Sequence, residues 1–182
     1  MCQACGGTCS HTVVRAKGRT TIDVNVGGRR LRAVDAGGPA PLYVARSLMP
    51  DSAAELGAWA RRSGLADVVP GDEMHVTVAY SKAPVDWFRF ASWTTSDPLF
   101  IASGGPRRIE AFKNGVAVLR FVSSSLSERW REFRLGGCSW DWPDYAPHIT
   151  IAGGVGLADL ARLKAYAGPL RFGPEEFAPI AQ

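Results

Sequence analysis

His75-Val76-Thr77 and His148-Ile149-Thr150 are one pattern written twice, 73 residues apart, each embedded in an apolar run. In a strand, side chains alternate faces, so each His and its Thr point one way while Val76 and Ile149 point the other. Each triplet therefore offers one imidazole and one hydroxyl, side by side on a rigid support. A lone triplet of this kind arises easily by chance. Here the two triplets take two of the chain's three histidines.

The surroundings repeat as well. Ser52-Ala53-Ala54-Glu55 and Ser125-Leu126-Ser127-Glu128 both have the form of a capping box, and each serine lies 23 residues before its histidine. Gly64 and Gly136-Gly137 are placed to end the two helices in left-handed caps. Strand-like runs precede both helices, Leu42-Tyr43-Val44-Ala45 in one case and residues 116–122 in the other. The order strand, helix, loop, His-x-Thr strand thus occurs twice, as an internal duplication would produce. Two such units about a pseudo-two-fold axis would bring the triplets together across a cleft.

Two H-x-[ST] motifs on duplicated lobes resemble the 2H phosphoesterase superfamily. The chain more closely resembles the phage anti-CBASS cyclic-oligonucleotide phosphodiesterases. The residues that carry the closer match are Leu42-Tyr43-Val44-Ala45-Arg46, the block from Met74 to Ser81 with Pro84-Val85-Asp86-Trp87, Ser139-Trp140-Asp141, the block from Tyr145 to Ile151, and Phe172-Gly173-Pro174-Glu175-Glu176-Phe177. The match spans roughly residues 41 to 180. The resemblance implies an α+β, 2H phosphoesterase-like bilobal fold, with two pseudo-symmetric antiparallel-sheet/helix lobes around a central cleft. It also implies a substrate, the 3′,5′-linked cyclic di- and trinucleotides made by bacterial immune synthases. The route it implies is attack of a ribose 2′-OH on the neighbouring phosphate, giving a 2′,3′-cyclic phosphate that water opens to a 3′-phosphate.

The residues themselves suit that chemistry. One neutral imidazole takes a proton from a hydroxyl nucleophile, and an imidazolium returns one to the leaving oxygen. With an ordinary pKa near ~6.5, histidine holds either form around neutrality. His75 and His148 are therefore the candidate base and acid, in an order the sequence leaves open. Thr77 and Thr150 are candidates to bond non-bridging phosphate oxygens as charge builds. A catalytic zinc would call for three protein ligands, and this constellation offers no obvious third, so metal-independent chemistry with no cofactor is expected.

Tyr43, Trp87 and Trp140 are candidates for stacking on bases, since an aromatic face tolerates any base. Structural packing is the competing reading for each. Glu175 or Glu176 could accept from a base edge or a ribose hydroxyl, and the family pattern favours Glu175. Lys82 reads as a surface lysine. Two other functions stay open: a general 2H phosphodiesterase acting on RNA ends or 2′,3′-cyclic phosphates, and a nucleotide sponge that binds without cleaving. Binding alone has no need of two opposed proton-transfer groups.

The formal net charge of +4 matters only once it is divided. Residues 1–38 carry six basic side chains against Asp23 and Asp35, and the remainder is balanced at 15 of each sign. A neutral body argues against a long nucleic-acid track, which needs many phosphate contacts. It fits a small ligand with two or three phosphates. No run approaches a membrane span and no signal-peptide centre is present, so a cytoplasmic protein is expected.

We place a boundary in Ala36-Gly37-Gly38-Pro39-Ala40-Pro41. Residues 1–40 form a Cys-rich basic extension with a β-hairpin, and residues 41–182 form the phosphodiesterase domain. In the extension, residues 1–12 are expected to be loose. The alternating stretches 20–26 and 30–34 flank Gly27-Gly28 as a hairpin would. Cys2, Cys5, Cys9 and His11 have zinc-like spacing, though a loosely docked tail without metal is the favoured expectation. Cys138 is expected to pack rather than react. Further expectations are an aromatic-rich loop over 81–105, a hairpin at Asn114-Gly115, a helix near 157–166 and a last strand near 170–172.

Overall fold

A computed structural model describes residues 10–16, 19–26, 29–35, 39–90, 97–112, 115–154, 160 and 163–180, with the main chain alone for the first three strands and Phe88. Strands β1 (Ser10–Ala16), β2 (Arg19–Val26) and β3 (Arg29–Asp35) form an antiparallel sheet in the order β1-β2-β3. The expected hairpin is β2–β3, with Ile22 opposite Ala33 and Val24 opposite Leu31. β1 begins inside the stretch expected to be loose. Cys2, Cys5 and Cys9 lie outside the described residues, as does the His11 side chain.

The remainder builds a second, seven-stranded sheet. Its elements are β4 (Ala40–Leu48), α1 (Pro50–Arg62), β5 (His75–Val85), β6 (Leu99–Ile101), β7 (Arg107–Ala111), β8 (Ala117–Phe121), α2 (Ser124–Leu135), β9 (His148–Ala152) and β10 (Leu170–Ala178). The strand order is β6-β10-β4-β5-β9-β8-β7, and every neighbouring pair is antiparallel. The duplication is visible in that order: β4-α1-β5 and β8-α2-β9 are the two units, and their His-x-Thr strands meet at the centre. The two halves are joined in one curled sheet, and the helices interlock them further. α1 lies against β9 and α2 against β5, each on the other half's strand.

The helices start two or more residues earlier than their serine signals suggested. α1 begins at Pro50, a residue whose missing N–H costs nothing in a first turn, and Met49 at the cap position makes no side-chain bond. Ser52 is buried instead, and its Oγ accepts from Arg171 N at 3.1 Å, tying the helix to β10. Glu55 accepts from the Tyr166 hydroxyl at 3.0 Å. α2 is capped by Ser123, whose Oγ accepts from Leu126 N at 3.3 Å, so neither capping box forms as read. The helix ends do follow the glycines: Gly64 and Gly137 take φ of +81° and +100°. The β7–β8 hairpin turns through Gly115 at φ +76°.

The core lies between the helices and one sheet face. Leu56, Ala60, Leu126 and Phe133 pack there with Val76, Leu119, Ile149 and Ile151. The helix expected near 157–166 falls mostly outside the described residues. The last strand is longer than expected and carries a bulge between Phe172 and Glu175.

Candidate active site

Val76 pairs with Ile149, the middle residues of the two triplets. Both are fully buried on the core face. Alternation then puts all four flanking side chains on the opposite face. Antiparallel pairing sets His148 across from Thr77 and Thr150 across from His75, at neighbour distances of roughly 4.5–5.5 Å between Cβ atoms. The sheet thus brings the two triplets together, each histidine facing the other triplet's threonine.

Main-chain geometry fixes both rings. His75 Nδ1 lies 2.7 Å from Glu73 O, and His148 Nδ1 lies 2.9 Å from Ala146 O. A carbonyl oxygen only accepts, so each Nδ1 carries the proton and each Nε2 is left for chemistry. His148 is half-buried. Burial pushes its pKa below the ordinary value, Arg120 and His75 push the same way, and the Ala146 carbonyl and Glu110 oppose them. Phe112 meets the His148 ring edge-on at 5.2 Å between centroids.

Beside His75 opens a cleft of about 430 Å³, the size of a small-ligand site. Tyr43, Ser47, His75, Thr150 and the carboxylates of Asp72, Glu73 and Glu176 line it. Tyr43 OH and Thr77 Oγ1 are 3.1 Å apart, and Ser47 Oγ donates to Glu176 Oε1 at 2.8 Å. Burial, with Glu176 adding to it, raises the Tyr43 pKa, so its hydroxyl stays protonated as a donor. The Tyr145 hydroxyl donates to Thr77 O at 2.9 Å, joining the loop before β9 to β5.

The other expected contacts separate. Trp140 is half-buried in an aromatic cluster, 4.9 Å from Trp142 and 5.8 Å from Tyr145 between centroids. Trp142 is 54% exposed and continues the row through Tyr80 to Tyr43, at 6.1 and 6.3 Å. Trp87 donates its indole N–H to Ala40 O at 3.1 Å and packs against the core, away from the cleft lining. Glu175 is enclosed rather than presented. Its side chain has no exposure, and it takes bonds from Arg129 Nε and Nη2 at 3.0 and 2.9 Å and from Arg46 Nη2 at 3.4 Å. The carboxylate at the cleft is Glu176. Lys82 is exposed and pairs with Asp141 at 2.5 Å. Cys138 is buried, and burial raises its thiol pKa.

Sequence reasoning missed Tyr80, Trp142, Ser47 and Arg120. Arg120 stands directly opposite His148 in the β8–β9 register, so it shares the site face. Its signal was present as the one charged residue in an apolar run, and Trp142 had one in the Trp-Asp-Trp sequence. Among the described residues, no group of three His, Cys, Asp or Glu side chains is arranged to hold a metal ion, and no helix is long and apolar enough to cross a membrane.

The fold is that of the LigT-like 2H phosphoesterases. The crystal structure of E. coli LigT complexed with 3′-AMP superposes with a TM-score of 0.51 at 14% identity, covering 79% of this chain and 96% of that one. Residues 40–182 match the family model described as anti-CBASS protein Acb1. Proteins of that name from Sphingomonas paeninsulae and Caulobacter sp. (strain RHG1) are each 41% identical, over 84% and 82% of this chain. The chain spans about a quarter of the length of those two relatives, 25% and 24%. The relative from Salmonella phage S16 is 27% identical over 66% of this chain and 76% of its own length. The chain belongs to the anti-CBASS protein Acb1 family.

Proposed function

We propose that residues 41–182 form a metal-independent phosphodiesterase that opens 3′,5′-linked cyclic di- and trinucleotides, disabling an immune signal in a bacterial cytoplasm. Residues 1–40 are read as an accessory extension. The observation that carries this reading is the pair of histidines on hydrogen-bonded strands, each with Nδ1 held by main chain and Nε2 without a partner among the described residues.

His148, held toward its neutral form, takes the proton from a ribose 2′-OH. The 2′-oxygen forms a bond to phosphorus, and the bond from phosphorus to the 5′-oxygen breaks. His75 Nε2–H gives its proton to that leaving oxygen. The products are a 2′,3′-cyclic phosphate and a free 5′-OH within a linear chain, and water with the roles reversed opens the cyclic phosphate. Thr77 and Thr150 face the non-bridging oxygens. The row Tyr43, Tyr80, Trp142, Trp140 supplies stacking faces leading away from the histidines. Asp72, Glu73 and Glu176 make one rim acidic, which repels a polyanionic RNA track and suits a compact ligand whose base edges donate to carboxylates.

The test is incubation with a panel of cyclic di- and trinucleotides in EDTA, with products read by mass spectrometry. Linear products ending in 2′,3′-cyclic phosphate or 3′-phosphate are expected, with losses of about 10²–10⁴-fold in His75→Ala and His148→Ala. Tight binding without turnover would make the protein a sponge. Cleavage confined to RNA ends would make it a general 2H enzyme.

A further inference from the structure

We infer that Arg120 is a further catalytic residue, a guanidinium that grips the scissile phosphate beside His148 and is held in place by Glu110 and Phe112. This rests on the phosphodiester substrate proposed above. Three independent placements carry it. The β8–β9 register sets Arg120 opposite His148, and the β7–β8 register sets Arg108 opposite Arg120, so one row across the site face runs Arg108, Arg120, His148, Thr77. Arg120 Nε lies against Glu110 Oε2 while Arg108 Nε lies against Glu110 Oε1, leaving one net positive charge in the group. The Arg120 guanidinium sits 6.0 Å from the Phe112 ring centroid, and that same ring abuts His148.

The consequence is a directed fork. Nε faces Glu110 as an ion pair without hydrogen-bond geometry, and the two Nη groups, which bond nothing among the described residues, form the end that can take two phosphate oxygens at once. A phosphodiester brings one negative charge, and attack by the 2′-oxygen builds a second on the non-bridging oxygens. A positive group preset at that point favours the transition state over bound substrate. The same charge disfavours imidazolium at His148, keeping that ring a proton acceptor. The groups facing His148 are Arg120 and Arg108 with Glu110 from the outer strands and His75 from β5. No lysine or arginine lines the cleft beside His75, where Asp72, Glu73 and Glu176 make the rim acidic, so Arg120 on the His148 side is the guanidinium placed nearest the pair along the β8–β9 register. Pseudo-symmetry sharpens the contrast, because the position opposite His75 on β4 is Ser47. The two histidines therefore have different neighbours, a cation on one side and a hydroxyl on the other.

The experiment compares the wild-type 182-residue chain with Arg120→Met, Arg120→Lys and Glu110→Gln by two readouts. The first is kcat and KM on 3′,3′-cyclic GMP–AMP in EDTA. The second is an NMR pH titration of the His148 ring with no ligand present. Arg120→Met should lose about 10²–10³-fold, mostly in kcat. Its His148 midpoint should rise, while melting confirms the fold. Arg120→Lys keeps the charge without the fork, so it should leave the midpoint near wild type yet recover only part of the rate. Glu110→Gln should act in the same direction as Arg120→Met on rate, but more weakly. A rate within threefold of wild type in Arg120→Met overturns the proposal. Should wild type leave every cyclic nucleotide intact, the substrate reading falls. The titration still decides Arg120: an unmoved midpoint in Arg120→Met overturns its placement, and a raised one upholds it.

Discussion

Glu175 and Glu176 are adjacent, chemically identical, and predicted to fail in opposite ways. The Glu175 side chain is fully enclosed, and its partners Arg46 and Arg129 are 8% and 13% exposed. Arg129 also donates to Phe90 O at 2.6 Å, and Arg46 to Asp97 O and Gly173 O at 2.8 and 2.9 Å, so the carboxylate ties together β4, α2, β10 and the connecting residues Phe90 and Asp97. Glu175→Gln keeps the shape and removes the charge that balances two buried guanidinium groups. Breaking a buried ion pair from one side costs about 3–5 kcal/mol. For a domain of this size that is a fall in Tm of about 6–20 °C, at about 2–4 °C per kcal/mol. Glu176 is exposed and bonded to Ser47, so Glu176→Gln should stay within about 0.5 kcal/mol of wild type. If Glu176 accepts from a base edge, that same change should weaken substrate binding by about 10–100-fold, the worth of a charged hydrogen bond. Thermal melts and equilibrium binding on both variants suffice. A Glu175→Gln protein melting within about 3 °C of wild type, or a Glu176→Gln protein that melts early, would refute the assignment of one carboxylate to the fold and the other to the cleft.

The depressed pKa of His148 predicts pH effects on both stability and rate. Below the ordinary value of about 6.5 the unfolded chain protonates first, so stability should fall as pH drops from there through the folded pKa. His148→Asn should remove that component in melts taken at several pH values. The acid limb of kcat/KM should likewise lie below about 6.5, and a limb above it would assign the base elsewhere. Ser123→Ala should cost about 1 kcal/mol in urea unfolding as a lost cap, whereas Ser125→Ala should stay within about 0.5 kcal/mol. Tyr145→Phe releases Thr77 O and should lower kcat by about 3–10-fold with little change in KM, the loss of one neutral hydrogen bond.

The duplication could be read because it is written in local spacing: alternation around each histidine, glycines after each helix, Asn-Gly in the hairpin. What escaped reading was set by pairing between distant residues. Three consecutive serines, 123 to 125, present equivalent cap signals, and only the position where β8 ends selects Ser123. Two consecutive glutamates are indistinguishable until the bulge after Phe172 decides which one turns inward. Trp87 looked like a stacking residue because an aromatic in a long loop reads the same whether it meets a base or Ala40. Arg120 acquires meaning only from standing opposite His148, which is a property of register.

The Val76–Ile149 pairing makes the histidine pair a late acquisition during synthesis. At about 5–20 residues per second, the 73 residues separating those partners take roughly 4–15 s to emerge, and until then β5 has an open edge. An open edge is a template for a neighbouring nascent chain. Whichever strand fills it by mistake displaces β9 and half of the histidine pair with it. Under the proposed chemistry, turnover is a built-in proofreading signal, because a molecule that cleaves has closed its central seam in register.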